Sequence, residues 1–251
     1  MKKIATTLVV LSLVFVGCKS NEVAETFTQK VEKAHQKEVF TSKQAVQFDL
    51  KLDFGGQERL NAQLTLLTNS SQGLLAFKNG DTIIFNKDKV FYSPSITKDE
   101  SVRFDAYTWG YFSFFPFKLS DQGTIWNAYE NKEKDAANYD TEKLTFKSGT
   151  GDAPDDWYVV YTDKKTNLIE KAAYIVTFSG DKAKAEANPH AIQYLDYKEV
   201  DGVPIATKWV FWGWKEGTGL TDEIGHASLT NIKFVNVTDD TFKANPSFKT
   251  K

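Results

Sequence analysis

Val46-Gln-Phe-Asp-Leu-Lys-Leu-Asp-Phe54 is the stretch that decides the fold class. Apolar Val46, Phe48, Leu50, Leu52 and Phe54 alternate strictly with Gln47, Asp49, Lys51 and Asp53. That period of two belongs to a β-strand with one oily face and one wet face, and Gly55-Gly56 ends it. Downstream, Leu60, Ala62, Leu64 and Leu66 keep the same rhythm up to a loop at residues 69–73. Asn79-Gly80, set between apolar residues 74–78 and 82–86, is the strongest short-range hairpin signal. Further strands are expected at 90–92, 157–162, 169–178, 192–200, 203–214 and 224–237, nearly all separated by turns rich in Asn, Asp or Gly. No ten-residue helical crossover lies between successive strands, so an antiparallel meander is predicted rather than a parallel α/β sheet.

Two segments depart from this habit. Before the first strand, residues 27–40 carry Phe27, Val31, Ala34 and Phe40 among Lys and Glu at roughly helical spacing, which predicts one amphipathic helix. Its His35 is read onto the wet side. Between the two strand groups, residues 102–119 hold Phe104, Tyr107, Trp109, Tyr111, Phe112, Phe114, Phe115 and Phe117, interrupted by Gly110 and stopped at Pro116. So many rings must bury themselves against something, so a short aromatic helix or lid is expected. Residues 127–141 are polar and read as exposed.

The 251 residues are 41% hydrophobic and 25% charged, which excludes a disordered chain, a collagen-like repeat and a polytopic membrane protein. Lys+Arg 31 against Asp+Glu 33 gives a net charge of −2, and the aromatic stretch contains only Arg103 and Lys118 as cations. Neither feature suits nucleic acid, and none is expected as a partner. A single cysteine, Cys18, excludes an internal disulfide framework and a thiolate zinc site.

That cysteine has a specific setting. Met1-Lys2-Lys3 is followed by an uncharged apolar run over residues 4–16, too short at ~1.5 Å per residue to cross a ~30 Å hydrocarbon core, hence a secretion signal. Phe15-Val16-Gly17-Cys18 resembles the lipobox of bacterial lipoproteins, in which the cysteine is acylated and becomes the new N-terminus. Two or three acyl chains anchor a protein stably where one does not. The organisation expected is a signal peptide over 1–17, a tether over 18–25 and one β domain over 26–251.

Motifs for catalysis are missing: there is no P-loop, Gly-rich dinucleotide turn, nucleophile elbow or His-Glu-x-x-His. His35, His190 and His226 are scattered, so no metal site is expected. The paired carboxylates Asp155-Asp156, Asp222-Glu223 and Asp239-Asp240 point to opposite faces of an extended chain and read as solvated turns. No cofactor and no enzymatic activity are expected. Apolar surface remains, and a half-wet sheet with a helix and an aromatic flap is a way to make a lipid-sized cavity, although the same rings would equally serve as plain core.

The order of parts resembles the LolA/LolB superfamily of lipoprotein-carrier folds. The likeness rests on the N-terminal helix running into residues 46–54, the long meander, and Tyr194-Leu-Asp-Tyr197-Lys-Glu-Val-Asp-Gly-Val-Pro-Ile205 followed by Asp239-Asp240-Thr241-Phe242 and Asn245-Pro246. It implies a mainly β (α+β) fold: one antiparallel meander forming an open, unclosed β-barrel around helices, with an apolar cavity for acyl chains. Members carry lipoproteins across the periplasm or bind lipids at a membrane. The acylated cysteine sets this chain nearer the anchored members, in the envelope of a Gram-negative bacterium and at its outer membrane. The expectation is a non-enzymatic protein binding a lipid or lipoprotein acyl chain. Phe48, Leu50 and Leu52 would form the wall, Phe104, Tyr107, Trp109, Phe112 and Phe115 the lid, and Trp209 and Phe211 the returning strand. Two rival readings are an interaction module displaying the rings of residues 209–214 to a protein or glycan, and an envelope hydrolase built on His226 and a nearby carboxylate.

Overall fold

The alternation around Val46 becomes β1 (Ala45–Phe54), with Phe48, Leu50 and Leu52 fully buried on one face. On the other face, Asp49 accepts hydrogen bonds from Gln63 (3.0 Å) and Asn231 (2.7 Å), and these hold its carboxyl below the usual range. The computed structural model describes residues 24–178 and 180–251. Cys18, the expected signal peptide and most of the expected tether lie outside the described residues.

Beyond β1 the chain forms β2 (Gln57–Leu67), β3 (Gln72–Phe77), β4 (Thr82–Asn86) and β5 (Lys89–Tyr92). After the helix α3 (Val102–Phe114) come β6 (Thr124–Ala128), β7 (Tyr139–Phe146), β8 (Tyr158–Asp163), β9 (Ile169–Tyr174), β10 (His190–Val200), β11 (Val203–Lys215), β12 (Gly219–Val235) and the short β13 (Lys249–Thr250). All belong to one antiparallel sheet ordered β13-β5-β4-β3-β2-β1-β12-β11-β10-β9-β8-β7-β6. Two meanders are thus stitched together where β1 pairs with β12, and the sheet stays open with β13 and β6 at its edges. This is the mainly β, unclosed barrel expected from the sequence. Strands β6 and β7 enter the stretch read as exposed and polar.

The single N-terminal helix is in fact two, α1 (Phe27–Ala34) and α2 (Lys37–Ser42). Thr26 caps α1 through a reciprocal pair of bonds with Gln29, and Gln36 breaks the run in a left-handed conformation (φ 57, ψ 45). Geometry explains the break. At about 100° per residue, Val31 and Phe40 would stand on opposite sides of a continuous helix, whereas both are 1% exposed in the same core. The break also turns His35 inward, contrary to the solvated position expected for it. Its ring is fully buried and Nε2 accepts the Ile169 N–H at 3.0 Å, while burial lowers its pKa to about 3.

On the convex face the supposedly exposed segment forms a strap. Glu133, 7% exposed, accepts bonds from Lys171 Nζ (2.6 Å), Tyr161 Oη (2.6 Å) and Trp214 Nε1 (3.3 Å). Gly219 lets it come that close, since a Cβ there would lie 2.7 Å from Glu133 Oε2. Between β9 and β10 lies the last helix, α4 (Lys182–Ala187).

Candidate ligand cavity

Helix α3 crosses the concave face of the sheet and is anchored at its start by Asp105. That carboxylate, 5% exposed, accepts from Arg59 on β2 (2.7 Å), Trp109 Nε1 (3.0 Å) and Ser101 (3.0 Å). The helix runs on into a 3₁₀ turn, Phe115–Phe117, where Pro116 ends it. The Phe112 carbonyl, whose partner four residues on would be the N–H that Pro116 lacks, accepts from Tyr194 Oη at 3.0 Å.

One flank of α3 leaves a cavity of about 490 Å³, within the roughly 300–1,000 Å³ of small-molecule sites. Its roof is Phe104, Tyr111 and Phe112 on α3, and its floor is Phe146 of β7, Tyr158 of β8 and Tyr174 of β9. Phe112 lies 5.2 Å from Tyr174, and Tyr111 lies 5.9 Å from Tyr158, centroid to centroid. The mouth is polar. Arg103 forms a two-pronged ion pair with Asp152 (2.6 and 2.8 Å) and donates to the Asp88 carbonyl (2.7 Å), tying α3 to the loop before β8. Phe178 stands at the rim, 38% exposed, with its ring edge-on to Phe104 at 5.5 Å. Burial pushes the phenols of Tyr111, Tyr158 and Tyr174 upward, so all three are neutral donors. Burial also raises the Asp156 carboxyl against two bonds from Thr177, both 2.7 Å, that stabilise its charge.

Of the ten residues expected at a cavity, Phe104, Tyr107 and Phe112 line this one. The other seven pack elsewhere. Phe48, Leu50 and Leu52 are sealed in the core, Trp109 turns toward Phe54 and Phe211, and Trp209 packs on Tyr194. Phe115 lies against Tyr158 at 5.0 Å but outside the cavity lining. Tyr158, Tyr174 and Phe146 line the cavity without being among the residues expected there. The available signal was a tyrosine at an inward-facing position on each of two adjacent strands, where an aliphatic residue would suit plain core.

The rival sites are also placed. Trp209 (1% exposed), Phe211 (0%) and Trp214 (7%) are buried and Trp212 is half-buried, so the 209–214 rings do not form an exposed stripe. His226 is solvent-facing, with Glu223 at 3.4 Å and Asp53 at 3.7 Å, and does not line the cavity beside α3. A second hollow of about 520 Å³ on the convex face has walls mixed from Trp157 and Trp214 with Lys143, Glu186, Lys215 and Glu216, a poorer match to an alkyl chain.

No protein-family model matches the sequence, and no curated protein sequence matches it. Crystal structures do match. A LolA superfamily protein from Nitrosomonas europaea superposes with a TM-score of 0.58 at 11% identity, over 87% of this chain and 98% of that one. The fold is LolA-like. A domain from Vibrio parahaemolyticus named for outer membrane lipoprotein sorting gives 0.52 at 12% identity, over 87% and 97% of the two chains. At these identities the likeness is one of fold. In this LolA-like chain the cavity's particular walls are set by its own residues, above all the tyrosines of β8 and β9.

Proposed function

We propose that this protein is a lipid-anchored envelope protein whose cavity beside α3 holds a hydrophobic ligand, the acyl chain of a lipid or lipoprotein. The observation that carries this reading is the aromatic-walled hollow of about 490 Å³ on one flank of α3, inside a sheet packed elsewhere. Transfer of an alkyl chain into such a space gains ~0.8 kcal/mol per methylene, so about ten buried carbons supply roughly 8 kcal/mol before the costs of association. No cofactor and no catalytic step are part of the proposal. Acylation of Cys18, with removal of residues 1–17, supplies the anchor, residues 18–25 the tether, and 26–251 the binding domain.

The test is lipid extraction and mass spectrometry of the full chain purified from its membrane fraction. An acyl species is expected with the wild type and is lost in Thr108→Trp, which places an indole in the cavity. A wild-type protein free of acyl species and unable to bind an added acyl probe overturns the reading. The anchor is tested separately: Cys18→Ala should move the protein into the aqueous phase of a detergent extraction, and its retention with membranes sinks that claim.

A further inference from the structure

The cavity has polar equipment that an alkyl chain leaves unused. Tyr111, Tyr158 and Tyr174 all line it, and among the described residues none of their hydroxyls has a hydrogen-bond partner. Nor are these oxygens sealed away: the buried, unpartnered polar side-chain atoms are His35 Nδ1, Asn131 Nδ2 and Trp212 Nε1. The three phenols therefore face the cavity's space. Other buried tyrosines are paired, Tyr194 with the Phe112 carbonyl (3.0 Å), Tyr197 with that of Ile169 (2.7 Å) and Tyr161 with Glu133 (2.6 Å). Pairing is the rule for buried polar groups. The three accessible phenols of this one cavity instead present a set of donors to whatever fills it. They are neighbours: Tyr158 and Tyr174 face each other across β8 and β9 with rings 5.9 Å apart, and Tyr111 reaches the same place from α3.

Charge narrows the acceptor further. Of the cavity's cations, Arg103 is held by Asp152, Lys118 is held by Asp121 at 2.7 Å, and Lys87 stands exposed at the mouth. Asp156, on the same wall as the phenols, forms no ion pair among the described residues and is satisfied by Thr177 alone. A carboxylate brought beside the phenols would be stripped of water next to Asp156, while the cavity's cations are either already paired (Arg103, Lys118) or stand at the mouth (Lys87).

We infer that the cavity is built for an acyl ester rather than a free fatty acid, with the ester carbonyl accepting hydrogen bonds from Tyr158, Tyr174 and Tyr111. This rests on the cavity being the acyl site. A carbonyl oxygen offers two lone pairs and no proton, the complement of a wall of donors, and it enters without a charge to desolvate.

Equilibrium dialysis of the delipidated full chain against three ligands with the same chain length tests it: 1-palmitoylglycerol, its ether analogue 1-hexadecylglycerol, which lacks only the carbonyl, and palmitate. The ester should bind roughly tenfold more tightly than the ether, about 1.4 kcal/mol, the size of one or two net hydrogen bonds, and palmitate most weakly. The double variant Tyr158→Phe/Tyr174→Phe should erase the ester–ether difference, read as the ratio of the two affinities within each protein. Equal binding of ester and ether, tightest binding of palmitate, or an ester preference that survives the double variant each overturns the inference. Failure of all three ligands to bind the wild type overturns the acyl-cavity reading itself. A dipalmitoylglyceryl-cysteine peptide run alongside distinguishes a lipoprotein ester from a membrane glycerolipid, and the same tyrosine dependence is expected for whichever binds.

Discussion

The two flanks of α3 meet one sheet on opposite terms. Toward β2–β4 the helix sits tight on the sheet, where a Cβ on Gly110 would lie 3.2 Å from Leu66 Cδ1, and the sheet beneath is itself close-packed, since a Cβ on Gly73 would lie 2.2 Å from the ring of its cross-strand neighbour Phe85. Toward β7–β9 the helix presents Phe104, Tyr111 and Phe112 to Phe146, Tyr158 and Tyr174, and a cavity of about 490 Å³ remains between them. Both flanks are rich in apolar residues, so the hollow does not come from a shortage of hydrophobic side chains. It comes from where the small residues are. Gly110 lets the helix seat close to Leu66 on one flank, over a sheet face close-packed at Gly73, while rigid rings on the other flank cannot collapse into the remaining space. A cavity persists in a well-packed protein when closing it requires distorting a core that is already at full density.

The comparison breaks first at Gly73. Gly73→Leu adds a side chain where even a methyl group overlaps Phe85 and Leu66, both nearly fully buried. Overpacking of this kind costs about 3 kcal/mol, to be read as a lower urea midpoint at unchanged slope. Thr108→Trp adds more volume but on the cavity flank, and it should cost less than about 1 kcal/mol while filling the hollow. Equal losses from the two changes would mean that the flanks are not differently packed.

Acid tests the core beyond the helix, where His35 packs edge-on to Phe117 and Tyr197. His35 stays neutral in the folded protein with a pKa of about 3, well below the 6.5 of a free imidazole, because burial penalises its charged form. The unfolded chain therefore takes up a proton first as pH falls through 6.5, and the His35 contribution to stability, complete above that pH, drains away down to about pH 3. The slope is about 1.4 kcal/mol per pH unit, or roughly 2 kcal/mol between pH 6.5 and 5. His35→Gln retains an acceptor for the Ile169 N–H without titrating, so its stability profile should be flatter than the wild type by one proton. Parallel profiles for the two proteins would remove His35 as the cause.

How far the sequence shows these differences depends on what each element answers to. Strand β1 is legible because its alternation reflects the sheet's two faces and nothing else. The break at Gln36 is illegible because helical spacing over residues 27–40 looks continuous until one asks that Val31 and Phe40 share a core. Glu133 sits in a run of Asn, Glu, Lys and Asp, and only the three-dimensional arrival of Lys171, Tyr161 and Trp214 draws it inside. For the cavity the ambiguity is built in. Phe48 and Tyr158 are both inward-facing strand residues, and whether each meets core or hollow depends on which flank of α3 lies above it. Gly110, the one glycine in the aromatic run, is the local hint that the helix leans to one side.

The smallest effect gives the sharpest contrast, because it uses one chemical change at two sites. Tyr194→Phe removes a hydroxyl that donates to the Phe112 carbonyl, a group whose usual helical partner is Pro116 and cannot donate. A buried acceptor is left with its hydrogen bond unmade, and a loss of about 1–2 kcal/mol is expected in chemical denaturation. Tyr158→Phe removes a hydroxyl without a partner among the described residues, at nearly the same burial, 6% against 3%. Here nothing in the protein loses a bond and a polar atom leaves an apolar wall, so stability should be unchanged or a few tenths of a kcal/mol higher. Addition of bound ester should reverse that order, since the wild type then gains a hydrogen bond that the variant cannot make. If Tyr158→Phe destabilises the empty protein as much as Tyr194→Phe does, the phenol has a structural partner, and the cavity flank is core like the other.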